Sequence, residues 1–214
     1  MARLPYLDKS DLLPEHQDLL ARNLNLYRLL AHSPRAARSL NTLARFIRDG
    51  SRLDPRLREL AILQVSYLAR CAWGFSHHVR IGREVGLLDD EIRAVADETA
   101  GRPTGLDPLA KAVLRAAREM TEDLVISDET AGRPTGLDPL AKAVLQAARE
   151  MTERLVISDE TFNALRRGLD NERLTDLVVT ISFYNGLVRL LETMQVDVEE
   201  DYLAYLDEFP LPRR

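Results

Sequence analysis

One stretch, Arg70-Cys71-Ala72-Trp73-Gly74-Phe75-Ser76-His77-His78, holds the only cysteine, the only tryptophan and two of the four histidines. Glu59 stands twelve residues before Cys71. A carboxylate, a thiol and an imidazole brought together can carry proton transfer or redox chemistry. A desolvated Glu59 has its pKa raised toward neutrality, where His78 already begins, so the two could exchange a proton. Alternatively Cys71 is the nucleophile, with His78 lowering its pKa and Glu59 orienting the ring. Tyr67, Trp73, Phe75 and Tyr184 are the aromatic residues suited to wall a substrate pocket.

Each of these residues also has a plain structural use. Cysteine is among the most buried residue types, an early helical glutamate is favoured by the helix dipole, and a core histidine needs only a partner. His77 lies about 100° round a helix from His78 and should point elsewhere. A metal needs at least three convergent ligands, and adjacent histidines do not provide them, so no metal site and no cofactor are expected.

These residues fall on helices. Pro14 to about Leu30 is amphipathic. Ser33-Pro34 and Asp54-Pro55 are cap-plus-proline starts; Gly50 stops the first, and the second runs through Arg56–Ala69. Its centre, Leu60 to Leu68, is apolar on nearly every side and reads as a core helix. A fourth helix is expected over about Phe75–Val85 and a short fifth from Asp89 or Asp90. Later helices run from Asp159 to about Arg167 and from about Glu172 to Met194. The tail from Asp207 onward reads as extended or mobile. No strand series exists, so the fold class is all-α.

Residues 97–127 and 128–158 are nearly the same sequence, differing only at Arg115/Gln146 and Asp123/Arg154. Asp107-Pro108 and Asp138-Pro139 each start a helix. Leu109, Val113, Leu114, Ala117, Met120 and Leu124 form one apolar face, which Leu140, Val144, Leu145, Ala148, Met151 and Leu155 repeat. Two copies do not make a solenoid. They compete for one packing slot, and a subunit contact is a natural outlet for the surplus face.

Glu59, Cys71, Gly74 and His78, with Leu53-Asp54-Pro55-Arg56-Leu57-Arg58 before them and Val79-Arg80-Ile81-Gly82-Arg83-Glu84-Val85-Gly86-Leu87 after, resemble the signature of the carboxymuconolactone decarboxylase/alkylhydroperoxidase D family. Leu30-Ala31-His32-Ser33-Pro34 and Phe183-Tyr184-Asn185-Gly186-Leu187-Val188-Arg189 match in style, so the resemblance spans most of the chain. It implies an alkylhydroperoxidase D-like helical bundle that assembles as a homo-oligomer, here with one duplicated segment in a single domain over residues 1–214. The hydroperoxidase branch uses a Cys-x-x-Cys pair; the second cysteine position is Gly74 here, and a more distant histidine position is Leu88. Without a second thiol, a peroxidase cycle must resolve a Cys71 sulfenic acid with an external thiol. The decarboxylase branch needs no thiol pair. Its resemblance implies acid–base work by Glu59 and His78 on a small carboxylated or enolisable molecule. A non-catalytic scaffold or binder is the third reading, since fold does not carry function.

Composition narrows the partners. The 214 residues carry 29 basic and 34 acidic side chains, a net charge of −5, which gives no global reason to expect nucleic acid or an anionic membrane. No uninterrupted apolar run approaches a membrane span, no signal peptide is evident, and a lone cysteine suits a reducing cytoplasm. Arg35, Arg38, Arg45, Arg48, Arg52, Arg56 and Arg58 form one local basic cluster. Its plain reading is a solvated face; its sharper one is a docking surface for an anion.

Overall fold

The computed structural model describes residues 2–122 and 159–212, and every regular element among them is helical. They are α1 (Asn25–Leu30), α2 (Pro34–Arg45), α3 (Pro55–Leu68), α4 (Ala72–Glu84), α5 (Asp89–Thr99), α6 (Pro108–Glu122), α7 (Asp159–Arg166), α8 (Asn171–Met194) and α9 (Glu200–Glu208). The expected second-copy helix from Asp138-Pro139 lies outside the described residues.

Helix α3 is the axis. Asp54 caps it, its side chain accepting from Arg56 N (2.9 Å) and Leu57 N (3.1 Å), and Pro55 occupies the first turn. Ten consecutive residues, Leu57 to Ser66, are buried, because α4, α5, α6 and α8 surround the helix. That explains its all-round apolar sequence. Helix α6 lays Ala110, Val113, Leu114, Ala117 and Met120 into this core. Helix α8 is long and apolar enough, by length and composition, to cross a membrane, but it packs along α3 and buries Asp176 there. Asp176 Oδ2 accepts from Ser51 Oγ and Arg52 N, both at 2.8 Å, and so ties the loop ahead of α3 to α8.

Helices α3 and α4 meet in a tight corner. Arg70 takes a left-handed φ of 52°, and Cys71 N donates to Ser66 O at 2.9 Å, closing the end of α3. Cys71 is then the N-cap of α4, which therefore begins at Ala72, three residues before the position expected from sequence.

Three expectations need correction. The stretch from Pro14 to Leu30 is not one helix: a 3₁₀ segment, Pro14–Leu20, is separated from α1 by extended Leu24. The break follows from a tertiary tether, in which Asn25 N donates to Glu199 Oε1 (2.6 Å) and Asn25 Nδ2 to Asp197 O (2.9 Å). A C-terminal helix, α9, was not anticipated, and the tail after it is anchored. Phe209 is buried beneath the guanidinium groups of Arg83 and Arg93 (5.1 and 5.3 Å). Arg58, grouped by sequence with a solvated arginine face, is buried.

Candidate active site

Helices α3 and α4 bring Glu59 and His78 into contact. Glu59 Oε2 lies 2.6 Å from His78 Nδ1, in surroundings where Glu59 is 2% and His78 7% exposed. The other carboxylate oxygen accepts from Arg58 Nε at 2.9 Å, and Arg58 Nη1 donates to Arg48 O at 2.9 Å. Burial opposes ionisation of Glu59, but the adjacent His78 and Arg58 outweigh it and hold the carboxyl below its ordinary value. This reverses the expectation of a raised pKa. The apolar helix accounts for the desolvation, and the guanidinium that helps to outweigh it sits one residue away in sequence.

An ionised Glu59 assigns the imidazole tautomer. A carboxylate only accepts, so Nδ1 carries the proton and donates it to Oε2, leaving Nε2 with a lone pair. Tyr184 of α8 sets its ring edge-on to His78, centroids 4.9 Å apart. Burial pushes the Tyr184 hydroxyl well up, so it stays protonated. Phe183 packs edge-on against Tyr184 at 5.3 Å.

Cys71 occupies a different level. It is fully buried, and its thiol is pushed up to about 12, first by desolvation and further by the Glu192 carboxylate beside it. Backbone N–H groups of Gly74 and Trp73 work in the opposite direction but do not prevail. A Cβ built on Gly74 would stand 2.9 Å from Ser66 Oγ and 3.4 Å from Cys71 Sγ. The space a second cysteine would need is thus bordered by the Ser66 hydroxyl, itself buried with no hydrogen-bond partner. Neither Glu192 nor Ser66 stood out in the sequence; both come from tertiary placement around the α3–α4 corner.

The remaining aromatic candidates divide. Tyr67 and Phe75 pack on each other, centroids 6.0 Å apart. Trp73 turns away from the pair and stacks on His77 (3.8 Å), which in turn stacks on Tyr202 of α9 (3.7 Å). His77 Nδ1 lies 2.9 Å from Trp73 O, and its Nε2 is 3.3 Å from Glu199 Oε2 without hydrogen-bond alignment. His77 therefore clamps α9 onto α4. Among the described residues, no group of three His, Cys, Asp or Glu side chains is arranged to hold a metal.

Two of the hollows among the described residues border these elements. The larger, about 580 Å³, lies on the α6–α7 seam among Leu106, Leu109, Arg115 and Gly168 and contains none of Glu59, Cys71 or His78. The smaller, about 160 Å³, opens beside Tyr27 and Arg48, next to the Arg58–Glu59 chain of hydrogen bonds.

Residues 34–119 match the model of the carboxymuconolactone decarboxylase family, a span holding Glu59, Cys71 and His78. No curated protein sequence matches the chain. Among solved structures, an alkylhydroperoxidase AhpD core, a peroxidase-related protein from Ralstonia eutropha JMP134, superposes with a TM-score of 0.69 at 17% identity. That likeness covers 99% of this chain and 98% of the other. A cysteine-to-alanine variant of the debrominase Bmp8, in complex with 2,3,4-tribromopyrrole, gives 0.66 at 16% identity, covering 98% and 100%. A putative antioxidant defence protein AhpD from Agrobacterium tumefaciens gives 0.57 at 16%, covering 80% and 95%. At such identities these structures speak for the fold alone. Residues 34–119 thus resemble the carboxymuconolactone decarboxylase family, and the chain shares the all-α fold of an alkylhydroperoxidase AhpD core.

Proposed function

We propose that the protein is a small-molecule acid–base enzyme, a lyase or isomerase, in which Glu59 and His78 act together. The observation that carries this reading is the buried 2.6 Å carboxylate–imidazole contact. Glu59 fixes the ring and stabilises the imidazolium that forms when Nε2 takes a proton from an acidic carbon. Arg58 balances the carboxylate, so the pair does not carry an isolated buried charge in its resting state. The electron pair left on carbon delocalises into the adjacent carbonyl as an enolate. Return of the same proton to a different carbon completes an isomerisation; in a decarboxylation Nε2 first takes the proton of the substrate's carboxyl group, CO₂ leaves as the enolate forms, and the imidazolium gives that proton to carbon. Tyr184 supplies a neutral aromatic wall beside the ring.

A thiol reading rests on the peroxidase-related description of one structural neighbour and the cysteine variant of another. Here it is disfavoured by Cys71 itself, fully buried with its thiol pushed up to about 12, since the thiolate is the reactive form.

The test is exchange of acidic C–H protons for deuterium in D₂O across a panel of small β-keto acids and unsaturated lactones, followed by proton NMR. Glu59→Gln and His78→Gln should each lower enzyme-dependent exchange by about 10²–10⁴-fold. Exchange that persists in both variants while disappearing in Cys71→Ser would refute the pair and promote the thiol.

A further inference from the structure

The turn that follows α2 supports the Glu59–His78 pair from behind. Phe46–Gly50 is π-helical, closed by Ser51 N donating to Phe46 O at 2.8 Å. A helix continuing from there would offer Arg52 N or Leu53 N to the Arg48 carbonyl. Both donors are already taken. Arg52 N donates to Asp176 Oδ2 (2.8 Å) and Leu53 N to Ser51 Oγ (3.0 Å), while Ser51 Oγ itself donates to Asp176 Oδ2. The Arg48 carbonyl instead accepts from Arg58 Nη1 at 2.9 Å, and Arg58 Nε donates to Glu59 Oε1, also at 2.9 Å. Buried Asp176 on α8 thus fixes the turn that aims Arg58 at the carboxylate holding His78.

Charge counting gives this support a use. Ionised Glu59 and the buried Arg58 guanidinium cancel, so a neutral His78 ring leaves the group without net charge. Take the guanidinium away, and a desolvated carboxylate beside a neutral ring draws one more proton into the pair. A proton on the ring goes to Nε2. A proton on Glu59 is donated to Nδ1, and the ring's own proton then sits on Nε2. Either way Nε2 loses its free lone pair. The other groups near the pair add no charge of their own: Tyr184 on α8 stays protonated, as does Cys71 two turns earlier on α4. Tyr27 and Arg48 act on Tyr184 electrostatically, and Arg48 has Asp49 as its own counterion (3.1 Å).

We propose that Arg58 is a positioning residue that keeps the Glu59–His78 pair one proton short, its guanidinium aimed by the π-turn carbonyl of Arg48. Resting on the acid–base reading above, this is what leaves Nε2 free to act as a base. Arg58 does so through Glu59 and touches no reacting atom.

Ring ¹⁵N NMR of histidine-labelled protein, with the His78 signals assigned by their loss in His78→Gln, follows the Nε2 proton without any substrate. Arg58→Gln can still donate to Glu59 but carries no charge. It should raise the pH at which Nε2 gives up its proton by at least about one unit. Arg58→Lys, which keeps the charge, should abolish at least about half of that rise. The same step should separate Glu59→Gln from the Glu59→Gln/Arg58→Gln double variant, which has no unpaired buried charge to unfold it. In the deuterium-exchange assay, Arg58→Gln should move the rising limb of the pH profile by the same interval and leave the alkaline plateau within about threefold of wild type. An unmoved Nε2 midpoint with exchange lowered equally at every pH would make Arg58 merely structural and overturn the assignment. Equal shifts in the Gln and Lys variants would overturn it too, because charge would not be the cause. A shifted midpoint in a protein whose exchange ignores Glu59→Gln would keep the role of Arg58 while removing the acid–base reading.

Discussion

Cys71 and Glu59 are both buried and ionisable, yet their environments drive them in opposite directions. Glu59 has a hydrogen-bond donor on each oxygen, one of them the Arg58 guanidinium, and stays charged, whereas Cys71 is desolvated beside a carboxylate and stays neutral. The thiol rises from an ordinary value of 9.0 to about 12, so the native state holds that proton more tightly than the unfolded chain does. The stability it contributes is full below about pH 9 and is lost as pH climbs toward 12. Iodoacetamide should accordingly modify native Cys71 at pH 8 at least about 100-fold more slowly than the unfolded chain, with the native rate rising steadily into strong alkali. Mass spectrometry of quenched samples would follow it. Prompt labelling of the native protein at pH 8 would show that the thiol is neither buried nor neutral.

The spacing of two helices explains why these residues fall into separate levels. Glu59 and Ser66 are seven residues apart on α3, and Cys71 and His78 are seven apart along α4. Seven residues make two turns, about 10 Å of rise, so both pairs keep to one face of their helix. The helices run back on each other through the Arg70 corner, placing Glu59 opposite His78 and Ser66 opposite Gly74. Ser66 and Gly74 must then be coupled. A cysteine at 74 meets the Ser66 hydroxyl, while in Ser66→Ala it does not. Gly74→Cys should cost about 1–3 kcal/mol in the native background and measurably less beside Ser66→Ala. A double-mutant cycle in urea should give a coupling of at least about 0.5 kcal/mol. Strictly additive effects would mean that Ser66 turns aside freely and does not bar the second thiol.

At the scale of the molecule, the duplication is the unusual feature. The first copy supplies α6, whose apolar face fills the slot against α3. The second carries the same face in sequence and lies outside the described residues. Ile126-Ser127 can join Asp159 with the same local sequence that Ile157-Ser158 now provides. Deleting residues 128–158 is therefore expected to preserve the helical circular-dichroism signal and cooperative melting, because α6 and α7 keep their partners. Since a repeated apolar face favours a subunit contact, the same deletion should lower the number of subunits per particle, the light-scattering mass divided by the shortened chain's own mass. An unchanged subunit number would remove the interface role. A chain that no longer folds would place both copies in one core.

Much of this was legible without coordinates because the signals are local. Asp-Pro starts, all-round apolarity in α3 and the absence of strand alternation specify an all-α chain. The Glu59–Cys71–His78 spacing singles out the segment that the family match covers. What the sequence could not determine depends on residues distant along the chain. Arg58 and Glu59 are adjacent in sequence, but only burial beside His78 turns their charges into one network. The break before α1 arises from Glu199 and Asp197, more than 170 positions away, and the clamp on α9 from His77 stacking on Tyr202. Whether a buried group is charged depends on which partners reach it and how much water is excluded. Periodicity and spacing encode neither, so tertiary packing alone decided that Glu59 is ionised and Cys71 is not.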